Sequence, residues 1–235
     1  MATVALSGII TPSNVVTATS TATLTNKTIS GASNTLSNIP LSTAVTGNLP
    51  VTNLNSGTSA SASTFWRGDG SWGAVSAGFT LGTPVVTTSG TAIDFTGIPA
   101  TAKQIIVSFN GVSTSGTSYV IVQIGDAGGI EITGYQGSGV SILGTVVDQA
   151  SASSGYLILS ANAGHKLSGS VTLTLENATV FTWAATGSFG DGIAANASWF
   201  TAGRKSLSAT LDRVRITTVN GTDTFDLGEI NIAYI

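Results

Sequence analysis

Residues 212–235 read DRVRITTVNGTDTFDLGEINIAYI. Val214 and Ile216 alternate with Arg213 and Arg215, the period of two that places one strand face on a core and the other in water. Asn220 and Gly221 follow, a pair that suits the positive φ values of a type I′ turn, so 212–219 and 222–227 are expected to form a hairpin, with 229–235 as a further strand. The pattern recurs upstream in SVTLTL at 170–175, where Val171, Leu173 and Leu175 alternate with Thr172 and Thr174. Between such runs lie turn residues, and the spacing predicts strands at 84–88, 92–95, 104–109, 119–124, 129–133, 141–147, 156–160, 180–186 and 197–201. Residues 78–235 are therefore expected to be an all-β domain, an antiparallel β-sandwich of jelly-roll-like form.

Residues 1–77 follow different physics. From Met1 to Trp66 the only ionisable side chain is Lys27, and Ser, Thr, Ala and Asn dominate. Aliphatic side chains stand singly at Leu24, Ile29, Leu36, Ile39, Leu41, Val45, Leu49, Val51 and Leu54, with neither a helical nor a sustained strand period. A weak repeat, NIPL at 38–41 and NLPV at 48–51, carries prolines that exclude a helix interior and a central strand. Burial of nine scattered aliphatics by a lone chain does not offset the entropy of ordering it. Identical chains side by side can share those side chains and pair their backbones, so an extended homo-oligomeric stalk is expected, the alternative being a flexible Ser/Thr-rich linker. Trp66 and Trp72, where stalk would broaden into head, are expected to plug the junction between subunits.

Composition narrows the function. Only 8% of the 235 residues are charged and the net charge is −3, so there is no positive field to gather nucleic acid. No cysteine is present, which removes disulfides, thiolate metal sites and cysteine nucleophiles together. The start, MATVALSGII, has no basic residue ahead of its apolar ones, and no run approaches the roughly 18 apolar residues of a membrane span, so neither a secretory leader nor membrane insertion is expected.

Three phrases carry a family resemblance: TLTNKTI at 23–29, GNLPVTNLNSGTSASASTFWRGDGSWG at 47–73, and VNGTDTFDLGEINIAYI at 219–235. They resemble those of bacteriophage tail-fibre and related virion fibre proteins. The resemblance implies a homotrimer on the virion, assembled in the bacterial host cytoplasm, with an N-terminal stalk that docks onto other virion proteins. It also implies a C-terminal head that binds a bacterial surface glycan for host attachment, without cofactor or catalysis. A stalk of at most about 75 residues reaches roughly 250 Å fully stretched, which suits a short fibre or decoration spike. The alternative is a capsid, collar or baseplate decoration with a purely structural role.

Candidate site residues are few. Trp183, Phe189, Trp199 and Phe200 cluster around GSFGDGIAAN at 187–196, expected as a loop. Phe189, Trp199 and Phe200 are the candidate ligand surface, since rigid aromatic faces suit sugar rings, while Trp183 is expected in the core. Asp126 and Glu131 bracket a glycine-rich stretch and could serve a hard cation or acid–base work on a glycan, although their spacing matches no known loop and a solvated turn is expected. Asp223 and Asp226 are expected to be solvated likewise. His165, the one histidine, is expected in an exposed turn, with no nucleophile-elbow motif around any serine. The Arg67, Gly68, Asp69 tripeptide sits among glycines that suit a tight turn. No catalytic, cofactor or metal residues are expected, and a polysaccharide depolymerase is disfavoured because the acidic residues show no clear pairing.

Overall fold

A computed structural model describes Thr28, Ser30, Ala32 and residues 50–75, 78–191 and 197–235. The strands in chain order are β1 (Thr64–Trp66), β2 (Trp72–Ala74), β3 (Thr80–Leu81), β4 (Val85–Val86), β5 (Ala92–Thr96), β6 (Gln104–Thr114), β7 (Val120–Asp126), β8 (Gly129–Ile130), β9 (Gln136–Leu143), β10 (Val146–Ser151), β11 (Tyr156–Ile158), β12 (Leu167–Asn177), β13 (Thr182–Asp191), β14 (Ala197–Ser206), β15 (Leu211–Thr218) and β16 (Phe225–Tyr234). All pair antiparallel, and the described residues contain no α-helix. The chain divides into two compact units, Met1–Val75 and Ser76–Ile235.

In the first unit, two short 3₁₀ turns at Val51–Asn53 and Asn55–Gly57 precede a hairpin of β1 and β2 that the sequence reading did not foresee. Its tip is built by Asp69, whose carboxylate accepts from the Ser71 N–H at 3.0 Å and the Ser71 hydroxyl at 2.7 Å. The Ser71 hydroxyl and N–H hold the Asp69 carboxyl below its ordinary range. The Arg67, Gly68, Asp69 tripeptide is thus a turn, as its glycines suggested. Trp66 and Trp72 are register partners and meet edge to face at 5.4 Å, and the Trp72 indole donates to the Leu54 carbonyl at 3.3 Å. The two tryptophans therefore pack within one chain; Leu54 is half-buried and Val51 exposed. The other expected stalk contacts, Leu24, Ile29, Leu36, Ile39, Leu41, Val45 and Leu49, lie outside the described residues.

The second unit holds two sheets. The larger has nine strands, in the order β10-β9-β14-β13-β12-β6-β16-β3 with β4 also on β16; the smaller has five, β11-β7-β15-β5 with β8 on β7. Their apolar faces supply one core cluster. From the smaller sheet come the cross-strand rows Phe95, Val214, Ile124 and Ile93, Ile216, Val122, so the predicted alternation in β15 does point Val214 and Ile216 inward. From the larger sheet come Ile105, Leu173 and Ala185, then Val107 and Val171. The Tyr156 hydroxyl of the smaller sheet donates to the Trp183 carbonyl of the larger at 3.1 Å, which satisfies a buried phenol and pins β11 against β13.

Three expectations are corrected. Residues 141–147 are not one strand: the chain reverses at Gly144, φ 61°, between β9 and β10. The segment from Gly187 is not a loop, because β13 continues to Asp191; Gly192–Asn196 lie outside the described residues. Asn220 and Gly221 do not close a hairpin. The strands on either side of them, β15 and β16, belong to different sheets, and only Gly221 has positive φ, at 68°. The turn instead carries the chain between sheets. The two expected strands 222–227 and 229–235 are replaced by the single strand β16, Phe225–Tyr234, with register shifts on either side of Leu227 where Gly228 takes φ 92°.

Candidate functional site

The fate of the expected aromatic surface follows from register. Phe109, Gly169, Phe189, Trp199 and Ser141 form one row across five neighbouring strands of the larger sheet. A Cβ at Gly169, φ 152°, would run into the Ser188 carbonyl oxygen and the Phe189 ring. Without it, Phe109 and Phe189 meet edge to face over the gap at 5.1 Å. Phe189 and Trp199 are 4% and 0% exposed, so neither offers a face to a ligand; this corrects the expectation for both. Strand alternation turns the next residue outward, and Phe200 is 47% exposed, beside the half-buried Val140 and across from Ser188. Trp183 is in the core, as expected.

Trp199 nevertheless underlies a pocket. The turn after β11 is shaped by Asn162, whose side-chain oxygen accepts from the Gly164 N–H at 2.8 Å while its carbonyl accepts from the His165 N–H at 3.0 Å. That places the His165 ring on the Trp199 indole, centroids 4.9 Å apart, with Nδ1 3.3 Å from the Ser160 hydroxyl. His165 is half-buried rather than in an open turn. It lines a cavity of about 430 Å³ together with Tyr119, Asp148 and Asn162 on the polar side and Leu143, Val146 and Leu159 on the apolar side. Val146 and Val147 are 60% and 67% exposed on the edge strand β10, an unusual place for bare valines. The cavity is of ligand size and combines aliphatic side chains with hydrogen-bonding ones. Ser160 and His165 form a hydrogen-bonded pair, but among the described residues no carboxylate bonds to the imidazole, so the third, orienting member of a hydrolytic triad is not in place. Tyr119, Asp148 and Asn162 carry no sequence signal, because three separate segments bring them here.

The candidate carboxylates are structural. Asp126 and Glu131 are not a solvated turn: both reach Ser208, Asp126 accepting from its hydroxyl at 2.6 Å and Glu131 from its backbone N–H at 2.6 Å. Glu131 also pairs with Lys205, a side chain only 7% exposed that lies over the Tyr135 ring. The Ser208 hydroxyl, seconded by the Gly128 N–H, holds Asp126 below the usual carboxylate range. Burial opposes ionisation of Glu131, yet Lys205 and the Ser208 donors prevail and hold it low as well. Desolvation pushes the Tyr135 hydroxyl up, consistent with its place as a neutral donor and acceptor between Ile124 and Glu131 backbone groups. Asp223 accepts from the Ser118 N–H and from Asn220, and Asn220 holds it low; Asp226 accepts from Ser113. Among the described residues no three His or acidic side chains are gathered as a metal site. No helix among them is long and apolar enough to cross a membrane.

Comparison of the chain with protein-family models, curated proteins and solved structures finds no match to any of them.

Proposed function

We propose that this chain is a bacteriophage virion fibre protein, a homotrimer in which residues 1–77 form the stalk and residues 78–235 a β-sandwich head of jelly-roll-like form. The head binds a bacterial surface glycan during host attachment and performs no catalysis. The sequence phrases at 23–29, 47–73 and 219–235 support the fibre reading. The observation that carries the binding role is the His165 cavity, whose apolar walls and polar groups suit the alternating faces and hydroxyls of a sugar. This moves the ligand surface from Phe189 and Trp199 to the residues that Trp199 supports; Phe200, on the opposite face of that sheet, does not line the cavity.

The test is labelling of bacterial cells with fluorescent full-length protein, with extracted surface polysaccharide as competitor. Labelling that the polysaccharide displaces, and that His165→Ala and Asn162→Ala each weaken at least about tenfold, is expected. Full labelling by both variants would refute the site. Absence of labelling across candidate hosts would refute adhesion and leave the structural decoration of a capsid, collar or baseplate.

A further inference from the structure

The larger sheet ends in two edges, β10 on one side and the short strands β3 and β4 on the other. A sheet edge invites pairing with another chain, and proteins commonly blunt it with lysine, proline, a bulge or a covering segment. The smaller sheet manages both of its edges: β11 is buried throughout, and on β5 the Asp94 carboxylate accepts from the Arg215 guanidinium at 2.7 Å. In the larger sheet β10 runs for six residues in unbroken register with β9 and holds neither lysine nor proline. Apolar side chains stand bare at both ends of this sheet. Leu143, Val146 and Val147 are exposed at the β10 edge, and Phe79, Leu81 and Val86 at the other, Leu81 to 71%. These six are half of the twelve exposed large apolar side chains among the described residues of Ser76–Ile235, so the bare apolar surface is gathered at the two edges.

Register relates the two edges. Val147 pairs with Ile142, next to the buried Ser141; Leu81 pairs with Ala233 and Val86 with Glu229, next to the buried Ile232 and Ile230. Val147, Leu81 and Val86 therefore share the outer face of the sheet, at its opposite ends. A patch that meets its own copy gives a two-fold dimer, whereas a ring of three is closed by a contact in which each subunit offers one patch and receives a different one. Two unlike apolar patches on one chain meet that requirement. Their charges do not conflict, since residues 79–87 carry none and β10 carries only Asp148. We propose that in the homotrimer the β10 edge of each head docks on the β3–β4 edge of the next, with Val147 against Leu81 and Val86. The partner is a second copy of this chain, and the contact rests on the trimer proposed above. Leu143, Val146 and Val147 also line the His165 cavity, so this contact puts the cavity at the border between two subunits.

The chain has no cysteine, so disulfide cross-linking reports only on cysteines that are introduced. Two full-length double variants, Val147→Cys with Leu81→Cys and Val147→Cys with Val86→Cys, are mildly oxidised and run on a denaturing gel with and without reductant. All three positions are exposed, so folding should survive the changes. Within one chain seven strand spacings of about 4.8 Å separate β10 from β3, which puts an internal disulfide out of reach. Linked dimers and trimers that reductant dissolves are expected from at least one double variant. Each single variant should stay unlinked, because no position meets its own copy, and so should Val147→Cys with Val180→Cys, which places the second thiol at an exposed site away from both edges. Absence of linkage in both double variants would overturn the proposal, as would equal linkage in the single variants or in the Val180 control. Sedimentation of the same samples separates the two readings: unlinked chains in a trimeric species would overturn the edge contact and leave the trimer, whereas unlinked monomers would overturn both.

Discussion

Glu131→Gln separates charge from shape at the Lys205 pair. Glutamine retains an oxygen for the Ser208 N–H but leaves the Lys205 ammonium, in a side chain 7% exposed, without its anion. Breaking a buried pair costs about 3–5 kcal/mol. Here Glu131 is 23% exposed and Lys205 keeps the Ser206 carbonyl at 2.7 Å and the Tyr135 ring, which places the loss at about 2–3 kcal/mol. In a unit of this size that lowers Tm by about 5–10 °C. The pH dependence fixes the cause. The Glu131 pKa is lowered by folding, so its stabilisation is complete above the unfolded value near 4.3 and is lost as pH falls through the lower folded value. Melts of wild type and variant by circular dichroism should therefore differ at pH 7 and converge in acid, below the unfolded value. Equal Tm values at pH 7, or a gap that persists undiminished in acid, would refute the charge argument.

Further outcomes follow from the same structure. Trp199→Ala should cost about 3–5 kcal/mol and Phe200→Ala under about 1 kcal/mol, because one indole is fully buried and the neighbouring ring is 47% exposed; denaturant titration of both checks this, and equal losses would contradict the register. Gly169→Ala should cost about 3 kcal/mol or more, or prevent folding, since its Cβ meets backbone and the Phe189 ring; a wild-type melt would contradict the close approach. Asp126→Asn should flatten the loss of stability on acidification, because the Asp126 carboxylate, held low by the Ser208 hydroxyl, stabilises above the unfolded pKa near 3.9 and ceases to do so as pH falls through its folded value; an unchanged acid limb of the stability curve would contradict this.

What the sequence disclosed was local. Val171 with Leu173, and Val214 with Ile216, carry their facing in a period of two, and the structure buries all four. Phe189 was misplaced because the glycines around it resemble a loop, whereas Gly187 is there so that Thr201 and Val171 can approach the strand closely. The period-two series Trp183, Ala185, Gly187, Phe189 was the available signal. Asn220 and Gly221 announce a reversal equally well within a sheet or between sheets; which one occurs is decided by partners β7 and β6, more than 80 residues upstream. Lys205 could not be foreseen as buried, since its anion is 74 residues away in sequence. The His165 cavity was invisible for the same reason, because its lining comes from the strand edges and turns around 119, 141–148 and 159–165.

The trimeric stalk bears most directly on the fibre proposal, and sedimentation equilibrium of the full-length chain at micromolar concentration measures it. A single species at three times the chain mass is the predicted result. A monomer would mean that the isolated aliphatic side chains before Trp66 gain nothing from companion subunits, and the account of the N-terminal segment would be wrong.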